Sequence, residues 1–207
     1  MRYFTSEIYE KTQIRGRFPL RTDNKEKWMH QLDKFYNGGH KHDMVLDALL
    51  FKYIPEVKED ILQGKEFTDK EVSQKLYERI KEMANEWKNL CSLYKTEYEN
   101  IKQKLPLSLQ ELRNYHFHDN TLLSLKKESN DMLIIELECY ILIFKNVIQL
   151  ETVDDIVGDI WIDEEVHLSD TGGFEFQVLF LASQGLLTLH EFSVIADDII
   201  IRSKDIN

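Results

Sequence analysis

The sequence predicts an α+β protein in which a helical region over residues 1–106 precedes a β-rich region over 107–207, either as two domains or packed together as one. Three observations carry this expectation. Apolar residues recur by threes and fours from Val72 to Leu105, which is the stripe of one long amphipathic helix. Pro106 closes that pattern, and the residues after it form short runs with β-favouring side chains, cut by turn residues. The charge divides at the same place: residues 1–104 carry 20 Lys and Arg against 18 Asp and Glu, while residues 105–207 carry 6 against 19. With 43% hydrophobic residues, three prolines and eight glycines in 207 residues, the chain has enough apolar material to bury a core.

Taken in order, Arg2–Phe4 reads as a short strand or extended arm, and a helix starts at Ser6 and ends before Pro19. Residues from Asn24 or Lys25 to Tyr36 form a second helix with Trp28, Leu32, Phe35 and Tyr36 on its apolar side, stopped by Gly38 and Gly39. Met44 to Tyr53 makes a third helix, and a short one runs from Pro55 to Leu62. Thr68 or Asp69 caps the long helix, whose apolar positions are Val72, Leu76, Ile80, Met83, Trp87, Leu90, Tyr94, Tyr98, Ile101 and Leu105. At about 1.5 Å per residue it spans roughly 50 Å, enough to meet several elements or a second subunit.

Beyond Pro106, Thr121–Lys127 and Met132–Ile141 read as a hairpin about Glu128–Asp131, and Leu142–Glu151 as a strand or the end of the previous one. In the next strand Ile160, Ile162, Glu164, Val166 and Leu168 share one face, with Trp161, Asp163, Glu165 and His167 on the other. Gly172–Gly173 turns the chain into Phe174–Leu181, Ser183–Gly185 turns it into Leu186–Phe192, and Ile199–Arg202 is the last strand. Six or seven strands joined by connections too short for crossover helices make a largely antiparallel six- to seven-stranded sheet or sandwich.

The β-rich half, with its excess of 13 negative charges, repels a phosphate backbone, and the first half is too evenly mixed for a basic groove, so nucleic acid is not an expected partner. Acidic residues either keep the protein in solution or attract a basic protein. Cys91 and Cys139 give no disulfide framework. No apolar run approaches the roughly 20 residues of a membrane span, and the expected location is the cytoplasm.

One tetrapeptide pattern occurs twice, as His40-Lys41-His42-Asp43 and His116-Phe117-His118-Asp119. In extended backbone His116 and His118 point to one side, as paired ligands of a divalent metal require, with His167, His190, Asp163, Glu165 or Glu191 as further donors. The competing reading is that Asp43 and Asp119 accept backbone N–H groups at turns. No serine sits in a nucleophile elbow, and no phosphate loop, dinucleotide fingerprint or HExxH is present, so no catalytic, cofactor-binding or metal-binding residue is assigned. The carboxylates around Asp163–Glu165 read as a solvated edge. Trp28, Tyr36, Phe51, Tyr53, Trp87, Tyr94 and Tyr98 form either a recognition face or the packing between helices.

The opening Met1-Arg2-Tyr3-Phe4-Thr5 with Glu7 and Tyr9, the Trp28–Tyr36 helix, the Tyr94, Tyr98, Ile101, Leu105-Pro106 passage and the His118-Asp119 that leads into a hairpin resemble the uncharacterised bacterial domain-of-unknown-function family numbered 4085. That resemblance implies a soluble bacterial protein and brings no activity or site residues. The functional expectation is a non-enzymatic protein-binding module, for example an immunity-like inhibitor with a basic partner, as monomer or homodimer. The alternatives are a metal-dependent hydrolase using His116 and His118, or a small-molecule sensor domain.

Overall fold

A computed structural model of the protein describes residues 1–17, 26, 44–65, 69–129, 131–184 and 187–204. Apart from Glu26, the helix expected from Asn24 or Lys25 to Tyr36 lies outside these residues, as do the first His-x-His-Asp segment at His40–Asp43, Thr68, Asn130 and Gly185. Helices are α1 (Ser6–Arg17), α2 (Met44–Tyr53), α3 (Pro55–Leu62), α4 (Lys70–Ile101) and the single turn α5 (Leu107–Gln110). Strands are β1 (Leu122–Ser129), β2 (Met132–Leu137), β3 (Tyr140–Glu151), β4 (Ile160–Leu168), β5 (Phe174–Leu181) and β6 (Leu189–Ser203). The chain divides into two compact units, Glu7–Cys91 and Met1–Ser6 with Ser92–Asn207, so that α4 contributes to both.

Every position of the predicted α4 stripe is buried or half-buried, and Val72, Leu76 and Ile80 are fully so. In the helical unit these three join Ile14, Leu50, Ile54 and Val57 in the core. Pro55 opens α3, where its fixed φ suits a first helical turn, and Gly64 at φ 84° ends it. Asp60, 5% exposed, accepts hydrogen bonds from Lys65 at 2.8 Å and Lys75 at 2.6 Å, fastening α3 to α4.

In the β unit the six strands form one antiparallel sheet in the order β1-β2-β3-β6-β5-β4. Two three-stranded meanders, β1-β2-β3 and β4-β5-β6, are therefore joined along β3 and β6. The sheet curls until its two edges meet at one end. Leu122 N–H donates to the Asp159 carbonyl at 2.8 Å, Gly158 N–H to Leu122 at 2.8 Å, Trp161 N–H to Asn120 at 2.9 Å and Asp119 N–H to Trp161 at 2.9 Å. This closure removes part of each exposed edge. Inside it lie Leu133, Ile135, Phe144, Phe174, Phe176, Val178, Phe180, Phe192 and Val194, with Leu105, Leu109, Leu112 and Phe117 packed on the same cluster.

Two differences from the sequence reading have local causes. The run Met132–Ile141 is cut at Glu138–Cys139, where the chain reverses into β3 with no glycine or proline. The reversal is held from a distance: Cys139 N–H donates to Asn120 Oδ1 at 3.1 Å and Glu138 N–H to the Thr121 carbonyl at 3.2 Å. At the other end of the chain, the segments expected as separate strands around Phe192 and Ile199 are parts of one 15-residue strand, β6, which pairs with β5 through its first half and with β3 through most of its length.

Candidate functional site

Strand β4 does not alternate as its sequence suggests. Trp161 pairs with Phe180 and Asp163 with Leu179, so Ile162 is the extra residue of a β-bulge. Because a one-residue slip exchanges the faces of a strand, Trp161 stands on the same face as Glu164, Val166 and Leu168. Their cross-strand partners, Phe180, Val178, Phe176 and Phe174, are all core residues. Glu164 keeps the face it shares with Val166 and Leu168, the apolar face of the sheet, and the bulge brings Trp161 onto it, so the reading that set Trp161 opposite Glu164 is corrected.

Trp161 Nε1 donates to Glu164 Oε2 at 2.8 Å, and Oε1 has no protein partner among the described residues. Burial pushes the Glu164 carboxyl up to about 7; Asp163 adds to the rise, while the Trp161 hydrogen bond and His118 oppose it. Asp163, on the opposite face, is raised to about 6, again mainly by burial. The run expected to be a solvated edge is therefore largely withdrawn from water, with Glu165 and His167 no more than 1% exposed.

Glu164 lines a pocket of about 90 Å³ together with Tyr94 and Tyr98 of α4 and Leu112, Arg113 and Tyr115 of the segment before β1. The helical spacing of Tyr94 and Tyr98 places their rings 6.4 Å apart on one side of α4. Each is fixed at its hydroxyl: Val166 N–H on the edge strand donates to Tyr94 at 3.0 Å, and Tyr98 donates to the Leu109 carbonyl. Burial raises the pKa of both phenols, which stay neutral. Tyr115 stacks on Phe117, 5.8 Å away. The Arg113 guanidinium lies 5.2 Å from the centre of the Tyr98 ring and 3.3 Å from Glu99, at the pocket's exposed side. A space of this size holds a few waters or one small functional group, well short of the roughly 300 Å³ at which pockets begin to enclose whole small molecules.

The other face of β4 holds a closed ionic network. Glu165 accepts the N–H groups of Arg2 and Tyr3, each at 2.8 Å, and of Phe4 at 2.5 Å. His167 lies between two carboxylates, Nε2 at 2.9 Å from Glu165 and Nδ1 at 2.8 Å from Glu97, while the Tyr3 hydroxyl donates to Glu97. Carboxylates only accept, so both imidazole nitrogens donate when the ring carries two protons. Burial alone raises the Glu165 carboxyl, yet the hydrogen bonds from His167 and the three amides bring it below the usual range. All its polar atoms are engaged, and it anchors residues 2–4 onto the sheet.

Of the residues nominated for metal binding, His116 and His118 are exposed on either side of buried Phe117. His118 Nδ1 is 2.5 Å from the Ile162 carbonyl, to which it donates, and Nε2 is 3.5 Å from Asp119. Asp119 occupies the left-handed region at φ 64° and its own N–H serves the edge closure, which makes it a turn residue. His167 belongs to the network on β4. His190 Nδ1 bonds to buried Asp159 at 2.7 Å, which also accepts Ser183 N–H at 3.0 Å. Among the described residues no group of three or more His, Cys, Asp or Glu is arranged to hold a metal ion. The sequence reading takes Glu164 as part of a solvated edge, and Tyr94 and Tyr98 only as members of an aromatic series.

These features define a class: an α+β protein whose curled six-stranded antiparallel sheet keeps one ionisable glutamate on its apolar face, beneath a small tyrosine-lined pocket. The chain belongs to the DUF4085 family of proteins of unknown function, whose model matches residues 3–190. Comparison with curated proteins and with solved structures returns no match. No helix among the described residues is long and apolar enough to cross a membrane.

Proposed function

We propose that this protein is a non-enzymatic protein-binding module and that its recognition site is the tyrosine-lined pocket over Glu164, into which a partner inserts one side chain. The observation that carries the reading is Glu164 itself: a carboxyl on the apolar face of a sheet, with one oxygen given to Trp161 and the other left for a ligand. Desolvating a carboxyl costs stability, and a protein that keeps one in a cleft has it available for an interaction. Charge supports a basic partner. The unit holding the pocket carries 10 Lys and Arg against 21 Asp and Glu, the helical unit 16 against 16, so the entire net charge of −11 lies on the unit that binds. Three tyrosines at one pocket suit protein recognition, where such rings supply contact area at low entropic cost.

A displayed random-peptide library panned against the full chain tests this. Enrichment of peptides with basic residues, lost when the target is Glu164→Gln, is the expected result. No enrichment, or enrichment that the variant leaves intact, overturns the assignment of the pocket.

A further inference from the structure

Resting on the binding-module reading, we infer that the group entering the pocket is a lysine-type alkylammonium, which takes the free oxygen of Glu164 under the tyrosine rings and displaces Arg113 from the face of Tyr98. Three observations select this chemistry. First, a guanidinium is recognised by a fork of two parallel N–H bonds to both oxygens of a carboxylate. On Glu164 a fork would have to share Oε2 with Trp161 Nε1, which lies 2.8 Å away, and Oε1 is the one oxygen with no protein partner among the described residues. An ammonium is a point donor and needs only one.

Second, the walls are aromatic and aliphatic: Tyr94, Tyr98, Tyr115 and Leu112. Such walls hold a four-carbon stem, and ring faces attract a cation most when water is excluded. The pocket volume of about 90 Å³ admits a compact head group, and Arg113, which also lines the pocket, is held by Glu99 at 3.3 Å.

Third, the site already has a cation on it. Arg113 lies over Tyr98 at 5.2 Å with Glu99 at 3.3 Å as its counter-charge, and Lys102 approaches the same ring at 6.0 Å. The Tyr98 ring is therefore positioned to hold positive charge, and Arg113 is a tethered competitor that a ligand must move aside. When it does, Glu99 remains to hold the displaced guanidinium in solvent.

The test titrates the full chain with n-butylammonium, n-butylguanidinium and 1-butanol, following the ring resonances of Tyr94, Tyr98 and Tyr115 by NMR. Butylammonium is expected to saturate the site, with butylguanidinium at least tenfold weaker and butanol without a saturable effect. Glu164→Gln is expected to weaken butylammonium at least tenfold, and Arg113→Gln to tighten it severalfold by removing the competitor. Equal binding of the guanidinium or the alcohol overturns the ammonium assignment while leaving the module reading to its peptide test. Weaker binding in Arg113→Gln overturns the displacement. If no probe perturbs the tyrosines although the library yields basic peptides that depend on Glu164, the ammonium inference alone falls; if both experiments are blank, the pocket is not a binding site.

Discussion

Glutamine at position 164 removes the ionisable carboxyl and keeps an acceptor for Trp161 Nε1, so it isolates the cost of holding charge on the apolar face. The native carboxyl titrates at about 7, against 4.5 for an ordinary glutamate. Between those values the native state binds more protons than the unfolded chain, so stability falls as pH rises through the window and levels off above it. Because a tenfold change in an acid constant is worth about 1.4 kcal/mol, ionised Glu164 costs the native protein about 3 kcal/mol. Asp163, raised to about 6, contributes a fall of the same sign that the variant retains. The assay is urea unfolding at about pH 5 and about pH 9, read by Trp161 emission with Trp28 and Trp87 replaced by phenylalanine in both proteins. Near pH 5 the two should agree within about 1 kcal/mol, and near pH 9 the variant should be the more stable by about 3 kcal/mol. An advantage equal at both values would show that Glu164 is not a desolvated acid, and the reasoning about the pocket would fail with it.

Other substitutions separate the supporting parts. Glu165→Gln takes a carboxylate from His167 and from three amides; breaking such a buried pair should cost about 3–5 kcal/mol in urea unfolding. Its carboxyl lies below the ordinary value in the native state, so its contribution is present above that value and lost as pH falls through the depressed one. The variant should therefore show a shallower acid limb. Tyr94→Phe keeps the ring at the pocket and leaves Val166 N–H without its acceptor, an expected loss of about 1–3 kcal/mol by the same measurement. Gly173→Ala places a methyl 2.2 Å from the Ala196 carbonyl oxygen at φ 69°, whereas Gly172→Ala, at φ 102°, meets no neighbouring atom. The first should cost about 3 kcal/mol or more and the second clearly less, as thermal unfolding of the pair will show.

The elements that were legible in the sequence are those whose partners are local. The α4 stripe repeats over ten positions, and its burial follows from helical period alone. The hairpin at Gly172–Gly173 is announced by its glycines, and Gly173 is required there by the close approach of Ala196. Features fixed by distant residues were hidden. The Glu138–Cys139 reversal depends on Asn120, and His167 is buried because Glu97 arrives from α4 and residues 2–4 from the far end of the chain. Glu164 reads as solvated for a different reason. Strict alternation put Trp161 and Glu164 on opposite faces, and only the bulge at Ile162 brings the indole to the carboxyl. An indole three residues from a carboxylate within a strand was the available signal, and it required knowing where the strand slips. His116 and His118 alternate about buried Phe117 as their spacing predicts, while His118 is directed to a backbone carbonyl.

A cation that binds against ionised Glu164 expels the proton which that carboxyl otherwise carries, and the expelled proton can be counted. At about pH 6 most chains carry that proton, so butylammonium binding should release about one proton per site, read as the dependence of calorimetric heat on the ionisation heat of the buffer. The other ionisable and charged groups around the site are Asp163 and Glu165 of β4, His118, Arg113 and Tyr115 before β1, Tyr94, Tyr98 and Glu99 of α4, and Lys102 just after it. Glu164→Gln leaves all of them in place and should abolish the release. Binding with no proton released, or a release that survives in the variant, would contradict the account.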